Sequence, residues 1–334
     1  MRAGLLLGAL LLGGCSEPPE AHEFIGATMG TRYSVILPQL PTGHTRAQLE
    51  QAFDALLVDV NDEMSTYIDD SMISTFNRST AADWYDVTPA FYEVTRAALT
   101  LSALSDGRYD ITVAPLVELW GFGVADSDDS VPDVAAIEQA RQGMGFQRLE
   151  LRASPPALRK QIPELTIDLS SIAKGHGVDV LADYLESLGV DDYLVDIGGE
   201  LRAGGQSQRG DDWRIALEKP VAGERSVQRV VEVTGLGVAT SGDYRNYFEK
   251  NGTRYSHIID ASTGRPVEHR LASVTVLADN AMIADGWATM LMVLGEEAGF
   301  LLAEREGIAA YFIFKADDEF ETRETAAFSR LTEE

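Results

Sequence analysis

Asp168-Leu169-Ser170-Ser171-Ile172-Ala173-Lys174-Gly175-His176-Gly177 joins a short β-branched run, Leu165-Thr166-Ile167, to apolar residues at helical spacing. Those residues are Val178, Leu181, Ala182, Leu185 and Leu188. The pattern predicts a strand, a turn and a helix. A carboxylate, two hydroxyls, a lysine and two glycines therefore fall on a strand-to-helix turn. Unpaired N–H groups at a helix start suit an anionic group. The plainer reading is an ordinary capped helix, with Ser170 or Ser171 as the cap. The glycine spacing fits neither a P-loop nor a dinucleotide fingerprint.

Upstream, Thr28 to Leu37 reads as a loop entering an alternating strand. Thr45-Arg46-Ala47-Gln48 has the form of a capping box before Leu49, Phe53, Leu56, Leu57 and Val60. Thr88-Pro89 opens a second helix, with Phe91, Val94, Ala98 and Leu101 on its apolar side. Pro115 argues against a long central strand after Gly107. Residues 125–133 and the proline-rich 153–163 read as loops.

Downstream, Tyr193 to Glu200 reads as a strand ending in a glycine turn. Trp213–Glu218 and Gln228–Val233 read as an antiparallel pair. Further strands are expected at Leu236–Arg245, Tyr255–Asp260, Leu271–Leu277 and Ile308–Phe314, with a helix over about 280–294. Strands outnumber βαβ units, so the fold class is α+β.

The chain has 334 residues, 45% hydrophobic and 24% charged, enough for a sizeable core. Its 27 Lys and Arg stand against 53 Asp and Glu, a net charge of −26. This argues against nucleic acid, which needs a basic face. An anionic small substrate would need a local cation, a metal or a focused lysine.

Arg2 and the apolar Leu5–Leu12 form a targeting segment. Leu12-Gly13-Gly14-Cys15 resembles a bacterial lipobox. The expectation is a signal peptide over 1–14, a lipidated Cys15 and a polar tether to residue 23. The folded domain would then run from 24 to 330. Cys15 is the one cysteine, so no disulfide forms within the chain. A membrane-anchored lipoprotein facing the periplasm follows. Ser16 after the cysteine favours the outer membrane. No later run reads as long enough to span a bilayer.

Asp285 and Thr289 stand four apart on the 280–294 helix, hence on one face. A carboxylate and a hydroxyl among apolar neighbours can hold a hard cation such as magnesium. A helix-start cap is the plainer reading. Met64-Ser65-Thr66-Tyr67 is either a platform for a flat ring or a helix-terminal loop. His257 is either a hydrogen-bonded core histidine or a proton-transfer group. The five histidines are scattered, which argues against zinc, and no serine-hydrolase elbow occurs.

Taken together, these segments resemble the bacterial FAD:protein FMN transferases, the ApbE-type flavin transferase lipoproteins. The matching runs are Met29–Tyr33, Met64–Tyr67, Tyr109–Val113, Asp168–Gly177, Asp196–Glu200, Ala239–Tyr244, Ser256–Asp260 and Asp285–Thr289. His176-Gly177 departs from the aromatic-alanine pair of the family. The resemblance implies one α+β domain with mixed or antiparallel sheets and flanking helices. It implies magnesium-dependent transfer of FMN from FAD to a threonine or serine of a target protein. Tyr67 would stack on the flavin with Met29 nearby. Arg108, Tyr109, Asp110, Asp168, Lys174 and Ile259 would line the FAD site. Asp285, Thr289 and the carbonyl of Ser171 would hold the metal. His257 is the candidate base. The acceptors would be flavin-carrying subunits of membrane redox complexes, reached on the outer side of the inner membrane. A magnesium-dependent FAD pyrophosphatase and a non-catalytic FAD-binding lipoprotein are the alternatives.

Overall fold

The chain opens on an antiparallel hairpin, β1 (His22–Thr28) and β2 (Thr31–Leu37). This computed structural model describes residues 20–123, 130–221, 226–243, 246–317 and 319–333. The expected signal segment 1–14, Cys15, the tether up to residue 19 and most of the 125–133 excursion lie outside them. So does Tyr244 of the Ala239–Tyr244 run.

Thr45 caps α1 (Arg46–Met64) through the reciprocal Thr45–Gln48 box. Ser71 caps α2 (Met72–Arg78), and the two-residue β3 (Tyr85–Asp86) follows. Thr88-Pro89 starts α3 (Pro89–Leu104), whose buried face includes Phe91, Val94, Ala98 and Leu101, as the spacing predicts. Pro115 lies in the first turn of a short helix, α4 (Ala114–Leu119), where its missing N–H costs no hydrogen bond. Asp133 caps α5 (Val134–Gln142).

The proline-rich stretch expected to be a loop belongs to a hairpin instead, β4 (Leu149–Ala153) with β5 (Pro156–Lys160). Pro156 sits at a strand end, where proline is tolerated. The expected strand Leu165-Thr166-Ile167 is not one. The Asn77 side chain donates to the Ile167 carbonyl and accepts from its N–H, each at 2.8 Å. A side chain has taken the place of a neighbouring strand. The helix α6 (Ala173–Ser187) then starts earlier than expected and without a side-chain cap. Lys174, Gly175, His176 and Gly177 are thus helical, and neither serine is the cap.

The remaining strands are β6 (Tyr193–Ile197), β7 (Glu200–Gly204), β8 (Trp213–Glu218), β9 (Val227–Val233) and β10 (Leu236–Gly242). A hairpin of β11 (Tyr247–Lys250) and β12 (Thr253–Ser256) precedes β13 (Ile259–Asp260) and β14 (Arg265–Pro266). Then come β15 (Leu271–Ala278), α7 (Ala281–Glu306), β16 (Ala309–Ala316), β17 (Glu319–Glu324) and α8 (Ala326–Thr332). The strand expected to be last is therefore followed by another strand and a helix.

Eight strands form one antiparallel sheet in the order β1-β2-β6-β7-β10-β15-β16-β17, which is the α+β class expected. Helices α1 and α6 cover β1, β2 and β6, while α7 covers β10, β15 and β16 and α3 packs on α7 and on the β4–β5 hairpin. The β8–β9 hairpin and α8 cover the other face through Trp213, Ile215, Leu217 and Phe328. β15 is buried from Leu271 to Leu277, because both faces of the sheet are covered there.

Helix α7 breaks at Gly295, whose φ of 79° is open to glycine. The sequence reading ended the helix just before this point. Counted across the break, α7 is long and apolar enough to cross a membrane by length and composition, which corrects the expectation that no such run exists. Its apolar window is 72% buried within the fold.

Helices α6 and α7 cross closely at Gly175. A Cβ there would stand 2.3 Å from the Ala281 carbonyl oxygen and 2.8 Å from the Asp285 Cβ. Gly175→Ala is therefore expected to destabilise the fold by about 1–3 kcal/mol, read by denaturant unfolding. An unchanged midpoint would show that the helices can separate freely.

Candidate functional site

A cleft of about 1550 Å³ opens where α6 and α7 meet the ends of β6, β7 and β10. Ordinary ligand pockets measure ~300–1,000 Å³, so there is room for a dinucleotide and a second group. Met29, Tyr67, Tyr109, Asp110 and Asp168 line it. So do Ser171, Lys174, His257, Ile259, Asp285 and Thr289. Residues up to 260 positions apart in the reading of the sequence thus share one wall system.

Arg108 is the exception. Its guanidinium donates to Asp260 at 2.8 Å and to the carbonyls of Val293 and Leu294 at 3.1 and 3.3 Å. It caps the first half of α7 just before the Gly295 break. Asp110 lines the cleft, but its carboxylate accepts from the Thr112 N–H and hydroxyl and from the Phe146 N–H. Its work is to shape the loop.

The helix start that looked open to an anion is already served from within. Asp285 of α7 accepts from the Gly175 N–H of α6 at 2.9 Å. In return, Asp179 of α6 accepts from the Ala281 and Met282 N–H groups of α7 at 2.9 and 2.8 Å. Each helix places a carboxylate on the other's positive end. This exchange fixes Asp285 in the floor of the cleft at 3% exposure.

Three oxygen donors converge there. Thr289 Oγ1 lies 3.4 Å from the Ser171 carbonyl oxygen and one helical turn from Asp285. Neighbouring oxygens on an octahedral magnesium stand ~3 Å apart. The Tyr109 hydroxyl meets Ser171 Oγ at 2.7 Å, so the serine side chain is held away and its carbonyl is presented. Burial pushes the Asp285 carboxyl well above the ordinary range, and the Glu200 charge adds to this. A cation beside it would hold it ionised. Among the described residues no three His, Cys, Asp or Glu side chains cluster for a metal. A set with one carboxylate suits magnesium completed by substrate phosphate and water.

Lys174 pairs with Glu200 at 2.7 Å. Burial alone would lower its ammonium, but Glu200 and Asp285 outweigh it and hold the lysine above its usual range. Asp196 is pushed up to about 6, by burial first and by Glu200. Glu200 and Asp196 were not picked out by sequence reasoning as site residues. A glycine pair followed by a glutamate at a strand end was the available signal.

His257 sits not mid-strand but in the bend between β12 and β13. Its Nδ1 lies 3.0 Å from the Asn246 carbonyl oxygen, which can only accept. Nδ1 therefore carries the proton and Nε2 is left as the basic nitrogen. Phe122 packs edge-on against the ring, with centroids 6.4 Å apart. Burial, with the Lys174 charge adding, lowers the His257 pKa, so the ring is neutral at pH 7.

Tyr67 is 70% exposed at the cleft mouth. The loop beneath it is held by hydroxyls rather than by its ring: Ser71 Oγ donates to the Ser65 carbonyl at 2.7 Å. Met29 adopts φ 48°, a rare conformation for a non-glycine residue and one associated with functional sites.

The model of the ApbE family matches residues 29–312. The FAD:protein FMN transferase of Vibrio cholerae is 47% identical over 323 residues, covering 97% of this chain and 96% of that protein. That of Haemophilus influenzae is 42% identical over 330 residues, covering 97% and 95%. The structure of the flavin transferase ApbE from Vibrio cholerae superposes with a TM-score of 0.87 at 45% identity, covering 94% of this chain and 100% of that one. The apo flavinyl transferase ApbE of Pseudomonas stutzeri gives 0.85 at 42% identity, covering 94% and 97%. On this match across nearly its whole length, the chain belongs to the ApbE family.

Proposed function

We propose that this protein transfers the FMN half of FAD to a threonine or serine hydroxyl of a partner protein and releases AMP. The observation that carries the proposal is the convergence of Asp285, Thr289 and the Ser171 carbonyl in a cleft also lined by Tyr67, Lys174 and His257. The relatives that match nearly the whole chain bear the same activity in their names.

Asp285, Thr289 and the Ser171 carbonyl would hold magnesium. When bound, it supplies positive charge against the diphosphate in a protein of net charge −26. The acceptor oxygen forms a bond to the phosphorus of the FMN phosphate. The bond from that phosphorus to the bridging oxygen breaks, and AMP leaves with the electron pair. The hydroxyl proton passes to Nε2 of His257. Lys174 would take up charge on the phosphates. Tyr67 would carry the isoalloxazine ring.

Stacking of a flat base on an aromatic ring is worth ~1–3 kcal/mol. Tyr67→Ala is therefore expected to raise the KM for FAD by about tenfold. Its melting temperature should not move, since the ring is exposed. A FAD KM equal to that of the native enzyme would remove Tyr67 from the flavin site.

We further infer that Cys15 carries a lipid anchor and that the enzyme faces the periplasm. Its acceptors are flavin-carrying subunits of membrane redox complexes. The lipobox-like Leu12-Gly13-Gly14-Cys15 supports the anchor. Product analysis tests the reaction. Transfer requires one AMP for each modified acceptor and no free FMN. Free FMN and AMP at the same rate with or without acceptor would make the protein a pyrophosphatase. Bound FAD with no AMP would make it a carrier.

A further inference from the structure

Strand β10 runs past the end of its neighbour. β7 pairs with it only from Leu236 to Val238, because β7 begins at Glu200 after the Gly198-Gly199 turn. On its other side β10 pairs with β15 all the way to Gly242. Thr240, Ser241 and Gly242 therefore form an open edge, and all three line the cleft.

The alternation of an antiparallel ladder tells which groups this edge presents. Asp243 donates its N–H to the Ala272 carbonyl at 3.1 Å, continuing the register in which Gly242 faces Ser273. Residues 239, 241 and 243 thus point their backbone groups at β15. Thr240 and Gly242 point theirs to the open side. Among the described residues, no strand pairs with this side of either and no turn or loop backbone bond reaches their N–H or C=O. Thr240 is exposed, which agrees with an edge that no described residue covers.

Side chains at this edge have two faces. Ser241 faces α7, with its Oγ 3.1 Å from Thr289 Oγ1. A strand added to an edge places each side chain on the same face as the residue opposite, with Cβ atoms ~5 Å apart. A residue opposite Ser241 would deliver its side chain beside Thr289.

We propose that the acceptor protein binds by adding an extended segment to the Thr240–Gly242 edge of β10, with its reactive threonine or serine opposite Ser241. This rests on the transfer reading given above and deepens it. Recognition then runs through main-chain hydrogen bonds, as in other strand-addition complexes. Main-chain recognition of this kind does not need a charged patch on a protein of net charge −26.

Thr240→Pro tests it with the full-length enzyme and an intact acceptor domain. The N–H lost is the one aimed at the open side, so pairing with β15 is kept. The expected result is a fall of about tenfold or more in kcat/KM for the acceptor, with FAD affinity within about twofold. Thr240→Val keeps the backbone donor and loses only the hydroxyl contact with Thr275, so its acceptor kcat/KM should fall by much less than that of Thr240→Pro. Native acceptor kinetics in Thr240→Pro would overturn the proposal, as would an equal loss in Thr240→Val. Should Thr240→Pro fail to fold, a synthetic peptide spanning the acceptor threonine decides with the native enzyme. N-methylation at alternate residues should abolish transfer, and at the intervening residues should not. Equal tolerance at both sets would overturn strand addition while leaving transfer intact. Absence of FMN transfer to the unmethylated acceptor by the native enzyme would overturn the transfer reading itself.

Discussion

Asp285→Asn is expected to lose FMN transfer by on the order of 10³-fold or more while folding at least as well as the native chain. The two halves of this result have one cause. Asp285 is 3% exposed, and burial pushes its carboxyl above the ordinary range. Such a group stabilises the fold fully only below its unfolded-state pKa, and that contribution is lost as pH rises through the folded one. At neutral pH the carboxylate is therefore held for function, against stability. The asparagine oxygen can still accept from the Gly175 N–H, so the contact between α6 and α7 survives. The charge that would hold magnesium does not. Metal-free melting should show the variant at or above the native midpoint, and magnesium should raise only the native one. A variant that melts well below the native chain would mean that Asp285 serves the fold first. Full transfer by a folded Asp285→Asn would remove the metal site.

His257→Ala is expected to lower kcat by about 10²–10⁴-fold with little change in FAD affinity. The Asn246 carbonyl sets the tautomer, and Phe122 sets the ring plane. The lowered pKa keeps Nε2 unprotonated at neutral pH, ready to accept a proton. Sign follows from direction. Activity should be flat above the ordinary histidine range and fall only at more acid pH, as the ring takes up its proton. In His257→Ala that acid limb should vanish from the residual rate. A retained limb with a native kcat would assign the proton to another group.

How far the sequence could be read depended on the range of each interaction. Helices α1 and α3 were legible because Thr45 with Gln48, and Thr88 with Pro89, act within one turn. Asp285 and Thr289 were legible for the same reason, since helical spacing puts them on one face. Leu165-Thr166-Ile167 misled because the partner that replaces a strand, Asn77, lies 90 residues earlier. Arg108 looked like a cleft cation, but its partners Asp260, Val293 and Leu294 lie 152 to 186 residues away. The exchange of carboxylates between α6 and α7 had no sequence signal. Asp285 reads as a cation donor or a cap of its own helix, and only the packing shows that it serves α6 while Asp179 serves α7. The oxygen set was an expectation from family resemblance. What presents the Ser171 carbonyl, the Tyr109 hydroxyl on Ser171 Oγ, was not.

FMN transfer changes the mass of the acceptor, and intact mass reads it directly. The protein from residue 16 onward would be incubated with FAD, magnesium and an acceptor domain, and the acceptor then weighed intact. The expected result is a gain equal to one FMN, absent in EDTA and absent when the acceptor hydroxyl is removed. An acceptor of unchanged mass beside free FMN and AMP, or a gain that persists in EDTA, would contradict it.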